Sequence, residues 1–507
     1  MTNKASSAKQ LSYLLNNIVA VPEQADRLIS GLAQDSRLVK PGDLFFARSG
    51  TQKDGREFVA AAIKQGAVAV LVEEQETASK VNDETTVVPI FPVKDLAKLI
   101  GVIAARFYND PSNHLKVIGI TGTNGKTSCS HFIAQALQLE DKPCGIIGTL
   151  GNGLYGQLQH TDLTTPDAIT LQKLFAEFQT NGTKYVAMEV ASHGLVQGRV
   201  SGTHFNIAVF TNLTRDHLDY HGSIANYAAA KRTLFTQPGL GCAVLNADDK
   251  YGAEWLTELK PILPVYSYSL NPPLPQQQEL NGIAKTYVHH AQLDSSGITA
   301  SIHTPWGDGV LHNPHLTGRF NLSNLLAVVT VLGILGLSLE VILARMAQLR
   351  GVPGRMETFG GGNKPLVIVD FAHTPDALEQ VLKALGEYKQ GLLWCVFGCG
   401  GDRDRGKRPL MAKVAEQYAD RLIITDDNPR QEDPKQIVAE IYAGLTDPGK
   451  AVIEHDRRRA IAHAISCAQA DDVILIAGKG HETYQIIGKE KEPFNDALEV
   501  QKLLTEI

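Results

Sequence analysis

Short runs of β-branched and aliphatic residues alternate with longer amphipathic stretches along almost the whole chain, the pattern of βα units laid on parallel sheets. Near the N-terminus, Asp43-Leu-Phe-Phe-Ala and Ala67-Val-Ala-Val-Leu-Val read as strands. A second unit begins at Val117-Ile-Gly-Ile-Thr and continues through Cys144-Gly-Ile-Ile-Gly, Tyr185-Val-Ala-Met-Glu-Val, Ile207-Ala-Val-Phe and Ala243-Val-Leu. Unbroken apolar runs of this kind suit strands covered on both faces. Residues 260–315 differ, with proline- and glutamine-rich turns (Pro272-Pro-Leu-Pro-Gln-Gln-Gln) and alternating segments such as Gly297-Ile-Thr-Ala-Ser-Ile-His. They predict an antiparallel excursion ending before a long helix near 321–336. A third unit follows the hinge Gly351-Val-Pro-Gly-Arg, with strands at Leu366-Val-Ile-Val-Asp, Leu392-Leu-Trp-Cys-Val-Phe, Leu422-Ile-Ile-Thr and Val473-Ile-Leu-Ile-Ala.

The length of 507 residues fits about three domains at roughly 150 residues each. The expectation is therefore an α/β protein divided at 1–100, 101–350 and 351–507. Hydrophobic residues at 43% and charged residues at 20% exclude collagen, coiled coil and wholesale disorder. The apolar stretch Leu325 to Leu339 is interrupted by Thr330, Gly333, Gly336 and Ser338 and falls short of the ~18–20 residues a membrane helix needs, so it reads as a buried core helix. No membrane partner is expected, and no signal peptide is read at the N-terminus. The net charge, 48 − 54 = −6, offers no general field for nucleic acid, so any anion must be met by placed groups. Six cysteines are scattered without a CxxC pair, which argues against structural zinc and fits a reducing cytoplasm.

Ile118-Gly-Ile-Thr-Gly-Thr-Asn-Gly-Lys-Thr-Ser follows a strand and opens a helix. Glycines let backbone N–H groups close around phosphates, Lys126 would reach the β- and γ-phosphates, and Thr127 would offer its hydroxyl to Mg²⁺. The spacing departs from the usual phosphate-loop pattern, because Ile120 stands where its first glycine would be. Alone, the motif implies ATP or GTP without naming a reaction. Glu189 ends a strand and is placed as a hard oxygen ligand for Mg²⁺. The segment after the next strand offers Asp216, His217, Asp219 and His221. Composition gives Lys231 no role, and a solvated or salt-bridged lysine is its default reading. In the third unit four strand ends run into Phe371-Ala-His-Thr-Pro-Asp, Gly398-Cys-Gly-Gly-Asp-Arg-Asp-Arg, Asp426-Asp-Asn-Pro-Arg and Gly478-Lys-Gly-His-Glu, the position where open α/β sheets bind ligands.

Together, Gly122-Thr-Asn-Gly-Lys-Thr, Met188-Glu-Val-Ala-Ser-His-Gly, Thr211-Asn-Leu-Thr-Arg-Asp-His-Leu-Asp-Tyr-His, Gly354-Arg-Met-Glu and Ala372-His-Thr-Pro-Asp resemble the Mur ligases of peptidoglycan synthesis. The later motifs look like those of the member that adds the third peptide residue, and the likeness spans essentially the whole chain. It implies an N-terminal α/β domain for the UDP-sugar, a central P-loop ATPase and a C-terminal Rossmann-like domain for the incoming amino acid. It implies an ATP-dependent amide ligase that joins meso-diaminopimelate to UDP-MurNAc-L-Ala-D-Glu through an acyl phosphate, with magnesium (two ions) and a carbamylated lysine, in a cytoplasmic monomer.

By the same resemblance, Gly122, Thr123, Asn124, Gly125, Lys126, Thr127 and Ser128 hold ATP, with Asn321, Asn324 and Arg355 approaching the nucleotide. Lys126, Lys231, Glu189, His217, Asp370 and His373 form the catalytic set, and Thr127, Glu189, His217 and the carbamate on Lys231 surround the metal. Ser36 and the loop Thr51, Gln52, Lys53 match the UDP site; Thr164, Thr165, Ser192, Gln197 and Arg199 match the muramoyl-dipeptide site. Arg403, Asp427, Asn428, Pro429, Arg430, Gly478 and Glu482 match the diaminopimelate pocket. Diaminopimelate differs from lysine by a second carboxylate, which an arginine fork binds bidentately, and Arg430 is the expected reader. Departures stand at Phe371 (commonly Tyr), Ala191 (usually Ser) and Leu163. Competing readings are the lysine-adding version, a folylpolyglutamate synthetase-like ligase, and a P-loop regulator without catalysis.

Overall fold

The computed structural model describes residues 8–49, 54–74, 87–273, 282–294, 296–387 and 389–506. The chain divides into two compact units, Met1–Gly119 with Lys142–Asn206 and Thr233–Gly241, and Ile120–Asp141 with Ile207–Arg232 and Cys242–Ile507.

In the first unit, Gly31–Ala33, Asp43–Ala47, Ala69–Glu73 and Ile90–Val93 lie side by side as a parallel sheet. Successive side chains of a strand point to opposite faces. Leu44, Phe46 and Leu71 therefore pack with Ile100, Ile103 and Phe107 of the helix Leu96–Phe107, and Phe45, Val70 and Val72 pack with Val59 and Ala62 on the other side. Farther along the chain, Cys144–Gly148 pairs parallel with Tyr185–Glu189 and antiparallel with Gly151–Leu154. The helix Ala168–Thr180 starts at Asp167, whose carboxylate accepts the N–H groups of Ile169 and Thr170.

The second unit opens with Ile207–Phe210, Cys242–Asn246, Val265–Ser269 and Ala284–Asp294, all parallel, followed by antiparallel Gly297–Thr304 and Gly307–Asn313. The antiparallel excursion thus begins only after residue 294, later than the pattern of residues 260–315 implies. Val265-Tyr-Ser-Tyr-Ser hides its strand character behind hydroxyls, yet Tyr268 is buried and donates to Phe210 O at 3.1 Å. The long helix covers Arg319–Ile334 and is buried over most of its length. The polar and glycine interruptions of that stretch have local reasons. Thr330 donates to Leu326 O at 2.8 Å, which settles its hydroxyl, and a Cβ on Gly333 would stand 2.3 Å from the Trp306 ring.

The C-terminal sheet has the order Glu357–Gly360, Leu366–Asp370, Val473–Ala477, Leu393–Phe397, Arg421–Ile424, Ala451–Ile453, parallel except for the first strand. Helices Pro375–Gly386, Arg408–Tyr418 and Pro434–Tyr442 cover one face; Arg457–Cys467 and Asp496–Glu506 cover the other. Because the strands run in one direction, the four motif-bearing ends emerge on one edge of the sheet. Beneath that edge Arg457 grips Asp496 with two bonds of 2.8 Å and donates to Ala477 O at 2.9 Å, both side chains fully buried.

Removing one partner of such a pair strands a charge in the interior. Asp496→Ala is expected to lower stability by about 3–5 kcal/mol. Urea unfolding checks this, and a midpoint equal to wild type contradicts it.

Candidate active site

The strand Lys116–Thr121 runs into Gly122-Thr-Asn-Gly, and the helix Lys126–Gln138 begins at once. Gly125 caps that helix at φ +85°, and a Cβ there would stand 2.6 Å from Asn324 Oδ1, so backbone and neighbour both demand glycine. The loop is braced from the segment after Ile207–Phe210. Thr123 N donates to Asn212 O (2.8 Å), Asn124 N to Asn212 Oδ1 (2.9 Å), and Thr211 Oγ1 to Asn124 O (2.5 Å). Lys126 curls back over the loop, its Nζ donating to Gly122 O at 2.9 Å and Thr123 O at 2.8 Å.

Lys231 is no solvated lysine. It lies on the buried side of the helix Ile224–Arg232 at 1% exposure, donates to Gly122 O at 2.7 Å and sits 4.4 Å from the Tyr227 ring centroid. Burial first, then the charge of Lys126, pushes its pKa well below the ordinary lysine value, with Asp216 opposing. Burial that disfavours the proton on this amine favours the form that attacks carbon dioxide, so this side chain fits a carbamate.

Thr127 and Ser128 are buried in the first helical turn. Arg355 donates to Thr127 Oγ1 at 3.3 Å, and its guanidinium lies 4.4 Å from the Phe371 ring centroid. The aromatic ring at position 371 therefore serves as a platform without needing a hydroxyl. Asn324 faces the loop, whereas Asn321 donates to Thr317 O at 2.9 Å within its own segment. Both oxygens of buried Asp370 accept backbone N–H groups, of Met356 (2.8 Å) and Ala372 (2.7 Å), and burial raises its pKa despite Arg355. Asp370 thus shapes the chain around Arg355. His217 and His373 are brought together by Asp216, whose Oδ2 lies 3.3 Å and 3.5 Å from their Nε2 atoms. Burial alone would raise Asp216; the His373 hydrogen bond and the charges of His217, His373 and Lys407 hold it well below the usual carboxylate range. His217 carries a left-handed φ of +54°, a strained conformation at the turn it opens. His221 packs on Tyr227, and Asp219 faces solvent.

At the sheet edge, Asn428 organises the expected amino-acid pocket. Its Nδ2 donates to Glu482 Oε2 (2.9 Å), and its Oδ1 accepts Lys479 Nζ (3.2 Å) and Ile486 N (2.9 Å). Lys479 also reaches Glu482 at 2.7 Å. Burial would raise Asp427, but Lys479, Arg457, Arg430 and Lys407 hold it below its ordinary value. Gly478, at φ +112°, leaves the space beside it: a Cβ would stand 2.7 Å from Asp427 Oδ2. Arg403 and Arg430 both lie against Gly400, and Arg430 Nη1 donates to Gly401 O at 2.8 Å. Pro429 O packs over Gly401, where a Cβ would come within 1.9 Å of it. Burial and the charge of Arg403 pull Arg430 below the arginine value. Among the described residues neither guanidinium forms an ion pair with a carboxylate side chain of the protein.

The first unit gathers a second set. Glu189 is buried, and its carboxylate accepts Thr149 N (2.8 Å) and Thr149 Oγ1 (3.1 Å), with Thr164 Oγ1 3.1 Å from the same hydroxyl. Thr165 Oγ1 donates to Glu189 O at 2.9 Å and accepts Ala191 N at 2.9 Å. Arg199 is held by Gln197 Oε1 (2.7 and 3.0 Å) and Thr165 O (2.8 Å), and Ser192 starts the short helix beside them. Ser36 is buried at the turn after Asp35, while Thr51, Gln52 and Lys53 lie outside the described residues. Among the described residues, no three His, Cys, Asp or Glu side chains form a metal cluster. Thr127, at the start of the helix after the nucleotide loop, offers a hydroxyl oxygen of the kind magnesium takes.

Thr149, Thr211, Asn212, Lys407, Lys479 and Arg457 were absent from the expected site. Asn212 and Lys479 lie inside the quoted motifs, so their place was signalled; Thr149 had only its position after a strand to mark it.

The chain matches the model of the Mur ligase family, catalytic domain over residues 28–108, the Mur ligase middle domain over 120–332, and the Mur ligase, glutamate ligase domain over 354–480. A protein of Ectopseudomonas mendocina named UDP-N-acetylmuramoyl-L-alanyl-D-glutamate–2,6-diaminopimelate ligase is 51% identical over 490 residues, covering 97% of this chain and 98% of its own. The protein of the same name from Coxiella burnetii is 49% identical over 480 residues, covering 95% and 96%. A solved structure of a ligase so named is 35% identical, with a TM-score of 0.69 over 98% of this chain and 99% of its own.

Gly125→Ala is expected to weaken nucleotide binding by about tenfold or more, since a side chain there strains the cap and displaces Asn324. Titration with a fluorescent ATP analogue reads this; wild-type affinity in the folded variant refutes it.

Proposed function

The chain belongs to the Mur ligase family, and from that premise we propose how its residues carry out the ligation. It is an ATP-dependent amide ligase that adds meso-diaminopimelate to the D-glutamyl γ-carboxylate of UDP-MurNAc-L-Ala-D-Glu. The carboxylate oxygen attacks the γ-phosphorus of ATP, ADP leaves, and an acyl phosphate forms. The amine then attacks the acyl carbon, and inorganic phosphate departs with the C–O bonding pair as the amide closes.

The observation that carries the amino-acid assignment is the pair Arg403 and Arg430 against Gly400, beside buried Asp427. The Arg430 guanidinium feels the charge of Arg403 and is relieved by an added anion, and Asp427 offers a counterpart for an ammonium group. A diacid carrying amines satisfies both. Lysine leaves one guanidinium unmet, which disfavours the lysine-adding version. A nucleotide-binding regulator has no use for such a pocket.

On the nucleotide side, the loop N–H groups and Lys126 cradle phosphate, and Arg355 steadies Thr127 from the Phe371 platform. Asp216 holds His217 and His373 in fixed positions at the same place. Thr127, His217 and carbamylated Lys231 would hold magnesium, which when bound neutralises charge on the transferring phosphoryl group. Arg199, fixed by Gln197 and Thr165, would meet the muramoyl-dipeptide, with Ser36 and the loop 51–53 at the UDP end. The working divisions are 1–100, 101–350 and 351–507; a division at 350 agrees with the gap between the stretches 120–332 and 354–480, whereas residue 100 lies inside the stretch 28–108. The substrates are small molecules of the cytoplasm, where the enzyme works as a monomer.

Phosphate release from ATP with the UDP-linked dipeptide is expected to be about 10⁴-fold more efficient with meso-diaminopimelate than with L-lysine, the discrimination a site built for a polar group achieves. Comparable turnover with lysine defeats the specificity, and release with neither defeats the ligase. In Arg430→Ala the KM for diaminopimelate should rise about 100-fold with ATP binding kept; an unchanged KM refutes the assignment. Lys231→Ala should lose activity by about 100-fold or more and regain part with added formate or acetate. Wild-type rates in that variant remove the carbamate.

A further inference from the structure

Asp404 directly follows Arg403, and Arg215 directly precedes Asp216. One side-chain pair ties the two loops so marked. Arg215 Nε donates to Asp404 Oδ2 at 3.1 Å and Nη2 to Asp404 Oδ1 at 3.2 Å. Two N–H···O bonds to one carboxylate fix direction as well as distance, which the point charge of a lysine does not. Asp404 is nearly buried and also accepts Gly406 N at 2.9 Å, so it caps the turn Arg405–Lys407 while it faces Arg215. Glycine at 406 makes the approach possible, because a Cβ there would stand 2.2 Å from Arg215 Nη2.

Each loop holds its own shape by other means. On the nucleotide side Thr214 N donates to Thr123 Oγ1 at 3.0 Å, and His217 N to Asp216 Oδ1 at 2.9 Å. On the amino-acid side Arg408, wholly buried, donates to Glu432 at 2.9 Å, Glu440 at 2.7 Å and Gly400 O at 3.1 Å. The Arg215–Asp404 pair is therefore not needed to form either loop. What it sets is the register of one against the other, and with it the placing of Arg403 relative to Asp216 and His217.

We propose that Arg215 is a positioning residue for the ligation, pairing with Asp404 to lock the loop that carries Arg403 onto the loop that carries Asp216 and His217. The amine of the bound amino acid is thereby aimed at the activated carboxyl. A misplacement of about 1 Å at such a junction costs rate without touching the chemistry itself. The inference rests on the ligase reading given above.

A double-mutant cycle on the full-length enzyme tests it, with Arg215→Ala, Asp404→Asn and both together. Each single change should lower kcat/KM for meso-diaminopimelate about tenfold with KM for ATP within about twofold, and the double should be no worse than either single, as for residues acting as one pair. Arg215→Lys should recover only part of the loss. Losses that multiply in the double variant, an equal rise in KM for ATP, or singles that behave as wild type overturn the proposal. Hydrogen exchange supplies a readout free of turnover: amides of residues 211–217 should exchange faster in Asp404→Asn, although the substitution lies on the other loop. Unchanged exchange there overturns the pairing role. Faster exchange in a chain whose wild type releases no phosphate supports the pairing and counts against the ligase reading instead.

Discussion

The nucleotide end of the second unit is organised around one buried carboxylate. Asp216 is nearly inaccessible to water, and a lone charge in that position would be costly. A hydrogen bond with His373 of the C-terminal sheet edge, together with His217 of its own turn and Lys407 of the loop after Arg403, holds it well below the usual carboxylate range. Lys231 feels the same carboxylate while burial and Lys126 push its proton away. Groups from four separate chain segments are thus held by one charge. Loss of that charge would release the imidazoles and the loops they sit on together.

The same economy explains how a chain of net charge −6 handles substrates that are all anions. No overall field draws them in. Lys126 is folded over its own loop, Arg355 is fixed on an aromatic face, and Arg199 is clamped by a glutamine and a carbonyl. Carbonyl oxygens, an amide oxygen and a ring orient these cations. A cation so held keeps its attraction for phosphate or carboxylate, whereas one paired to Asp or Glu would have to break that pair first.

The strands were legible because most are buried on both faces and read as continuous apolar runs. Asp43–Ala47, Cys144–Gly148, Ile207–Phe210, Leu366–Asp370 and Val473–Ala477 occupy the residues the pattern indicated. Val265–Ser269 was not legible, because Tyr268 and Ser269 are satisfied by hydrogen bonds that local composition does not reveal. The site divides in the same way. Motif glycines, lysines and arginines announce themselves at strand ends, where chemistry and turn geometry coincide. Lys231 does not: its burial depends on Tyr227 and on Gly122, over a hundred residues away, and only the family resemblance distinguished it from a surface lysine. Braces such as Asn212 and Thr149 are ordinary polar residues whose importance lies in what they touch.

Arg403 and Arg430 bear on the kind of ligand the proposed amino-acid pocket would ask for. Burial and the charge of Arg403 both weigh against the charge on Arg430, and Asp427, Glu482 and Asp402 offset part of that. Glu432 and Glu440 are committed to Arg408, and Glu482 to Lys479 and Asn428. Asp427 and Asp402 still favour the charge on Arg430, and in the proposed pocket an incoming carboxylate would add to that relief. A ligand bearing a carboxylate gains that relief as part of its binding free energy, while one with a methylene in the same place leaves the strain in force. Specificity in the proposed pocket would then come from the cost of leaving Arg430 beside the charge of Arg403 as much as from the contacts a carboxylate makes.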